Sequence, residues 1–267
     1  MKNLKQKLLN SSEGKFNFHT DFRAALIPDP KDDRDIVLSA YKKPRRIPKV
    51  VDWYVEEMEI KNQGQTNTCV GQSCAYLKQI QEFFEHLYHY NFDGFDLYNE
   101  CKKIDNYPAD GTFLRIGLKI LSKQGVKPEG INTSKRYKIS SYARLDGLEA
   151  MKYAITSTGP IVIGIKVYEN MERVEENGFV PEPKGAYYGG HAVVVTGYDD
   201  FKGGFRFLNS WGKEWGINGT AWLSYDYIEK HMIDAWSAID EDDPIAETWL
   251  DLGAMKKDIE IMRKTDA

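Results

Sequence analysis

The apolar pattern of the chain changes near Gly159 and Pro160, and this change limits the fold more than any other feature. Before it, apolar residues recur at helical spacing in three stretches, which lie within 72–87, 112–123 and 145–157. After it come short runs of β-branched and aromatic residues between glycine and aspartate turns, at 161–167, 192–195, 205–208 and 221–225. Helices followed by strands predict an α+β protein with a helical lobe, a sheet lobe and a cleft between them.

Charge divides the chain further. The net charge is −4, yet residues 1–46 carry 11 basic and 6 acidic side chains. We interpret 1–46 as a basic N-terminal extension, which is either a solvated leader or a short pro-segment that docks on the acidic remainder. The main domain is then 47–239, divided into a helical lobe (about 60–158) and a sheet lobe (about 159–239). Residues 240–267 begin acidic and continue with apolar residues at helical spacing, which predicts an amphipathic helical tail.

Composition excludes several classes of protein. With 42% hydrophobic residues, the chain can form a packed core. The negative net charge argues against nucleic acid as the main partner, and no apolar run approaches the ~20 residues of a membrane helix. Three cysteines, Cys69, Cys74 and Cys101, cannot complete a disulfide framework, and the first residues lack the apolar block of a signal peptide. We therefore expect a cytoplasmic protein with reduced thiols.

Cys69 is the first candidate for chemistry. It follows the loop Asn62-Gln63-Gly64 and opens the first predicted helix, where the positive end of the helix dipole favours thiolate over thiol. The Gln63 amide could lie beside the Cys69 N–H and form a donor pair for an oxyanion. A lone buried cysteine is more often a small apolar residue, so this motif does not decide the matter by itself.

Two downstream residues complete a possible nucleophilic set. His191 lies 122 residues after Cys69, and Asn209 follows 18 residues later. An imidazole can exchange a proton with a thiol, and an asparagine oxygen can fix its tautomer. The indole of Trp211 could shield that hydrogen bond from water.

With these motifs the chain resembles the papain-like cysteine peptidase family, in its bacterial, non-secreted form, from about residue 47 to 239. The run 47–53 is similar to the start of a mature enzyme of that family. The resemblance implies that Cys69 is the nucleophile, His191 the general base and acid, Asn209 its orienting residue and Gln63 an oxyanion donor. It also implies a papain-like two-lobe fold, in which an N-terminal helical lobe and a C-terminal antiparallel, β-barrel-like lobe flank the cleft.

The same resemblance implies a set of substrate contacts. Asp110 and Gly111 match the stretch that binds substrate backbone, and small or apolar residues at the main specificity pocket suggest a roomy apolar site. The full set is Asp110, Gly111, Phe113, Gly164, Gly190, Ala192 and Trp211.

We expect no cofactor and no metal. His86 and His89 could approach Cys74 or Cys101, but no zinc-binding framework surrounds them.

Several positions depart from the family pattern. Thr66 replaces a disulfide cysteine, and Val70 replaces the aromatic residue that usually follows the nucleophile. The expected function is a cysteine endopeptidase that acts on peptides or proteins, without nucleic acid or membrane partners. The alternatives are an acyl transferase or peptide ligase that uses the same thioester, and an inactive binding module with the papain fold.

Overall fold

The computed structural model describes residues 23–38, 47–87 and 90–240. Its helices are α1 (Cys69–His86), α2 (Gly94–Lys102), α3 (Leu114–Lys123), α4 (Gly147–Thr158) and α5 (Tyr225–His231), with a 3₁₀ turn at Glu169–Glu172. Its strands are β1 (Val37–Leu38), β2 (Val50–Asp52), β3 (Ile139–Leu145), β4 (Ile161–Tyr168), β5 (Tyr187–Asp199), β6 (Gly204–Leu208), β7 (Thr220–Ser224) and β8 (Met232–Asp240).

The three helices predicted from apolar periodicity are confirmed as α1, α3 and α4. Helix α1 is buried from Cys69 to Glu82, because it lies between the other helices and the sheet. It ends where Leu87 adopts a left-handed conformation with φ 55°. The four predicted strand runs are confirmed in β4, β5, β6 and β7, except that Tyr225, the last residue of the fourth run, begins α5.

The α+β class is confirmed, but the sheet is not closed. The strands follow the order β1-β3-β8-β4-β5-β6-β7, with β2 pairing on β5. Pairing is antiparallel except between β1 and β3. Within the described ranges β1 and β7 do not pair, so the lobe that was expected to be barrel-like is an open sheet. It also takes in β1 and β3, which precede the strand-rich half of the sequence.

Two apolar clusters form the core, and Trp53 packs against both of them. One cluster joins α1, α2 and α3 to residues of the sheet, and the other lies within the sheet and against α4. Helix α4 packs on the sheet because Ala150, Met151, Ala154 and Ile155 present one apolar face to it. Residues 139–158, which the sequence pattern places in the helical lobe, therefore lie with the sheet.

Residues 23–38, which we call the strap, lie against both halves of the molecule. Their last residues pair in parallel with Arg144 and Leu145 of β3, while Leu26 forms bridges to Gly190 and Thr112. The rest of the predicted extension and the predicted tail after Asp240 lie outside the described residues. No helix in the described ranges combines the length and apolarity needed to cross a bilayer.

Candidate active site

The thiol of Cys69 lies at the first turn of α1, where the sequence predicted a nucleophile. The backbone N–H groups of Ala192 and Ala25 point at its sulfur and favour the thiolate. Burial has the larger effect and raises the pKa of Cys69, which is 0% exposed. The sulfur is therefore held as a neutral thiol beside the residue that follows His191.

His191 and Asn209 are brought together by the pairing of β5 with β6, and the loop after β6 carries Asn209. His191 Nε2 lies 2.8 Å from Asn209 Oδ1. Because Oδ1 also accepts from the Ser210 N–H at 2.8 Å, this atom is the acceptor and the imidazole donates through Nε2. The other nitrogen, Nδ1, has no hydrogen-bond partner among the described residues, so its lone pair is available for a proton.

Trp211 covers this histidine. The indole and imidazole rings stack with centroids 4.6 Å apart and an interplanar angle of 27°. Burial lowers the pKa of His191 to about 4, although the bond to Asn209 opposes that shift. The imidazole and the Cys69 thiol are thus both neutral beneath the strap.

Gln63 occupies a fixed position between the two halves. Its Oε1 accepts from Ser210 Oγ at 2.7 Å, and its backbone N–H donates to the Ser210 carbonyl at 2.8 Å. Its Nε2 donates to Thr66 at 2.9 Å and to the Arg23 carbonyl at 3.0 Å. A strap carbonyl therefore accepts from the amide predicted to stabilise an oxyanion. Sequence reasoning missed Ser210, which orients Gln63.

The strap backbone runs through the cleft between Gly111 and Gly190. The Leu26 N–H donates to the Gly190 carbonyl at 2.7 Å, and the Ile27 N–H donates to Thr112 at 3.0 Å. A Cβ placed on Gly190 would lie 2.5 Å from the Leu26 carbonyl oxygen. A Cβ on Gly111, where φ is +92°, would lie 2.1 Å from the Ala25 oxygen. These two glycines allow a peptide backbone to pass at close range.

The Leu26 side chain fills a pocket beside Gly164. Leu26 is 3% exposed, and a Cβ on Gly164 would lie 2.3 Å from its Cδ2. Ile233 forms a further wall near Gly190, and Asp234 lies on the strand that pairs with Gly164. Neither Ile233 nor Asp234 was predicted as a site residue, because β8 carries no motif of its own.

The remaining predicted substrate residues surround this region. Asp110 accepts from Asn67 Nδ2 at 2.9 Å, which links the loop before Cys69 to the loop before α3. Phe113 caps α3 and packs edge-on against Tyr107, with ring centroids 6.0 Å apart. Their substrate roles, like those of the other predicted contacts, stay predictions.

The suggested metal cluster is not assembled from the residues described. His86 lies 3.9 Å from Glu85, and His89 is outside the described residues. Three acidic groups do approach one another, at Glu82, Glu85 and Asp240. The buried Lys78 ammonium forms ion pairs with Glu82 and Asp240, so this cluster already contains a cation.

A thiol at a helix N-terminus, opposite an imidazole oriented by an amide, is the arrangement of a cysteine hydrolase. The model of the papain family cysteine protease matches residues 47–237, and the chain belongs to this family. It is a papain-like cysteine peptidase with the papain fold.

Relatives and solved structures agree with this assignment. A peptidase C1-like protein of Acanthamoeba polyphaga mimivirus is 28% identical, over 82% of this chain and 87% of the viral protein. Mouse cathepsin J is 27% identical over 68% of this chain, which spans 61% of that cathepsin. Xylellain, a cysteine protease from Xylella fastidiosa, superposes with a TM-score of 0.70 at 26% identity, covering 81% of this chain and 96% of xylellain. Procathepsin B from Trypanosoma congolense shares the fold, with a TM-score of 0.68 at 16% identity over 91% of this chain and 99% of its own.

Proposed function

We propose that the protein is a cysteine endopeptidase in which Cys69 is the nucleophile and His191 its general base and acid. The observation that carries this proposal is the Asn209–His191 hydrogen bond. It assigns the proton to Nε2 and leaves Nδ1 able to receive the thiol proton. The position of the sulfur supports it further, since the N–H of Ala192, next to His191, points at Sγ.

In the proposed reaction, the proton of Cys69 moves to His191 Nδ1 and the thiolate attacks a peptide carbonyl carbon. A C–S bond forms while the carbonyl oxygen becomes an oxyanion, which the Gln63 amide and the Cys69 N–H stabilise. His191 then gives its proton to the amine as the C–N bond breaks. Water, deprotonated by the same imidazole, cleaves the thioester and releases the acid. Asn209 keeps the imidazole in the tautomer that these steps need.

We further propose that the strap keeps this site latent. Gln63 Nε2 donates to the strap carbonyl of Arg23, and both Cys69 and His191 are 0% exposed. The strap carries three basic and four acidic side chains, so attraction of a basic segment to an acidic body does not explain its described contacts. Backbone pairing and the burial of Leu26 support its docking instead.

The pocket filled by Leu26 also suggests a substrate preference. A leucine side chain fits between Gly164 and the wall formed by Ile233, and larger residues at 164 or 190 would close that space. We propose that substrates place a medium-sized apolar side chain there.

The two alternative functions share the fold and differ in outcome. A ligase would use the same thioester but resolve it with an amine, which joins two peptides instead of adding one water. A binding module would retain the cleft without an activated thiol.

Two buried cysteines on α1 provide a matched test. Cys69→Ala should abolish both hydrolysis of a leucine-containing fluorogenic peptide and labelling by a thiol-directed epoxide. Cys74→Ala removes an equally buried thiol from the same helix and should retain both activities. Mass spectrometry of the products separates hydrolysis from ligation. Labelling of Cys69 no faster than a free thiol, with no turnover after long incubation, would favour the binding module.

A further inference from the structure

A pair of carboxylic acids joins the strap to the wall of the cleft. The Asp29 N–H donates to Asp234 Oδ2 at 3.3 Å, and the two carboxyl groups lie close enough for the charge on one to raise the pKa of the other. The Asp29 side chain is 2% exposed and Asp234 is 3% exposed. Two carboxylates this close and this buried cannot both ionise without a large electrostatic cost.

The cations around this pair offset the electrostatic cost of ionising both carboxyls only in part. The Arg115 N–H donates to Asp29 Oδ2 at 3.0 Å, but its Nε is 4.0 Å from Oδ1. The guanidinium lies closer to two other strap acids, at 2.7 Å from Asp35 and 3.8 Å from Asp32.

On the Asp234 side, Arg144 of β3 provides a more distant positive charge, and the Trp236 side chain lies near the carboxyl. Asp29 also faces the Cys74 thiol of α1, whose pKa burial raises well above its usual value. That thiol stays neutral across the physiological range. Burial, with the nearby Asp234 charge, raises the pKa of Asp29 to about 7, and burial also raises the pKa of Asp234.

We propose that Asp29 and Asp234 form a proton-dependent latch, which holds the strap in the cleft while the pair shares a proton and loosens when both carboxyls ionise. The proposal deepens the proposed function, on which it rests for its regulatory meaning. The latch would keep the peptidase closed in acid and favour opening towards neutral and alkaline pH.

The direction in which strap binding changes with pH follows from Asp29, because this is the acid of the pair that the strap carries. In the released strap, Asp29 returns to its usual pKa near 3.8, below its value of about 7 in the cleft. Strap binding is then strongest below about pH 4 and weakens as pH rises to about 7, with the full loss above that value.

His191, beneath the same strap, acts in the opposite direction. Its pKa is lowered to about 4 under the strap, so it would gain a proton on release in acid. The contribution of Asp29 must therefore be measured as a difference between two variants.

Hydrogen exchange of the strap amides provides a measurement that does not need catalysis. The reporters are the N–H groups of Leu26 and Ile27, which pair with Gly190 and Thr112. Their protection factors, corrected for intrinsic exchange, are compared between pH 5 and pH 8 in the full chain carrying Cys69→Ala, with and without Asp29→Asn. Asp33→Asn, an exposed acid on the same strap, is the matched control.

With Asp29 present, protection should fall by up to about 10²-fold more between pH 5 and 8 than in the Asp29→Asn protein. Asp33→Asn should behave like the unsubstituted strap, and Asp234→Asn should also flatten the profile. Parallel profiles for the proteins with and without Asp29→Asn overturn the latch. If the exchange profile shifts as expected but the protein that retains Cys69 does not hydrolyse peptides, the latch is kept and the proposed function is rejected.

Discussion

Helix α1 buries polar groups at its N-terminal end and at its middle, and it does so in two different ways. At its N-terminal end, Cys69 and His191 are 0% exposed, and their pKa shifts keep both neutral. About two and a half turns further along, Lys78 is 1% exposed and lies 2.6 Å from Glu82, with Asp240 as a second partner. The first site is covered by the strap, and the second by the C-terminal end of β8, where Asp240 lies.

The difference shows what a removable cover requires. A charge that stays buried needs partners within the fold, because an unpaired one would cost several kcal/mol. Groups that must become charged later can instead be buried neutral, provided that their cover can leave. The Lys78 cluster is thus expected to serve stability, and the Cys69 end to serve regulation.

The largest expected effect tests the stability side of this comparison. Lys78→Met leaves Asp240 and Glu82 buried without their cation, so the free energy of unfolding should fall by about 3–5 kcal/mol. Lys119→Met removes an exposed lysine from the middle of α3 and should change it by less than about 0.5 kcal/mol. Urea denaturation of both proteins measures the difference.

A compensated variant sharpens this test. Adding Glu82→Gln and Asp240→Asn to Lys78→Met removes the unpaired charges and should recover most of the lost stability. An equal loss in the single and triple variants would mean that packing, and not charge, accounts for the effect.

The next effect tests the removable cover. Leu26→Ala empties the pocket beside Gly164 and should weaken strap docking by about 2 kcal/mol, which corresponds to roughly 30-fold faster epoxide labelling of Cys69. Val37→Ala shortens an apolar side chain on the same strap that is 51% exposed, and it should leave the labelling rate unchanged. Equal rates for the two variants would show that Leu26 does not hold the strap.

The sequence predicted the elements that carry strong local patterns. Helix α1 has an apolar stripe over four turns, and β4 is a continuous β-branched run, so their positions follow from periodicity. The Cys69, His191 and Asn209 motifs were recognisable because their residue types suit one chemistry. The structure brings His191 and Asn209 into contact and carries Cys69 to the residue next to His191.

What the sequence did not predict depends on long-range pairing. β3 and β8 pair with each other across about 90 to 100 residues, and neither stands apart from its neighbours by composition. The path of the strap was equally hidden, although the apolar pair Leu26-Ile27 before Pro28 was a visible signal inside a charged segment. The contact between Asp234 and Asp29 was also not predictable from local patterns, because it joins residues that are far apart in the chain.

The smallest expected effect comes from two Gly→Ala variants, which separate the cost of backbone strain from the effect of a contact with the strap. Gly111→Ala and Gly130→Ala both place a Cβ on a left-handed backbone, with φ of +92° and +68°, so each should cost about 1 kcal/mol of stability. At Gly130 the new Cβ would meet nothing within 4 Å, whereas at Gly111 it would lie 2.1 Å from the strap carbonyl of Ala25. Of these two variants, only Gly111→Ala therefore requires the strap to shift. We expect the rate of Cys69 labelling to rise about fivefold in Gly111→Ala and to stay constant in Gly130→Ala. Matching labelling rates in the two variants would mean that the strap can move aside without loosening, which would weaken the distinction between the removable cover and the permanent one.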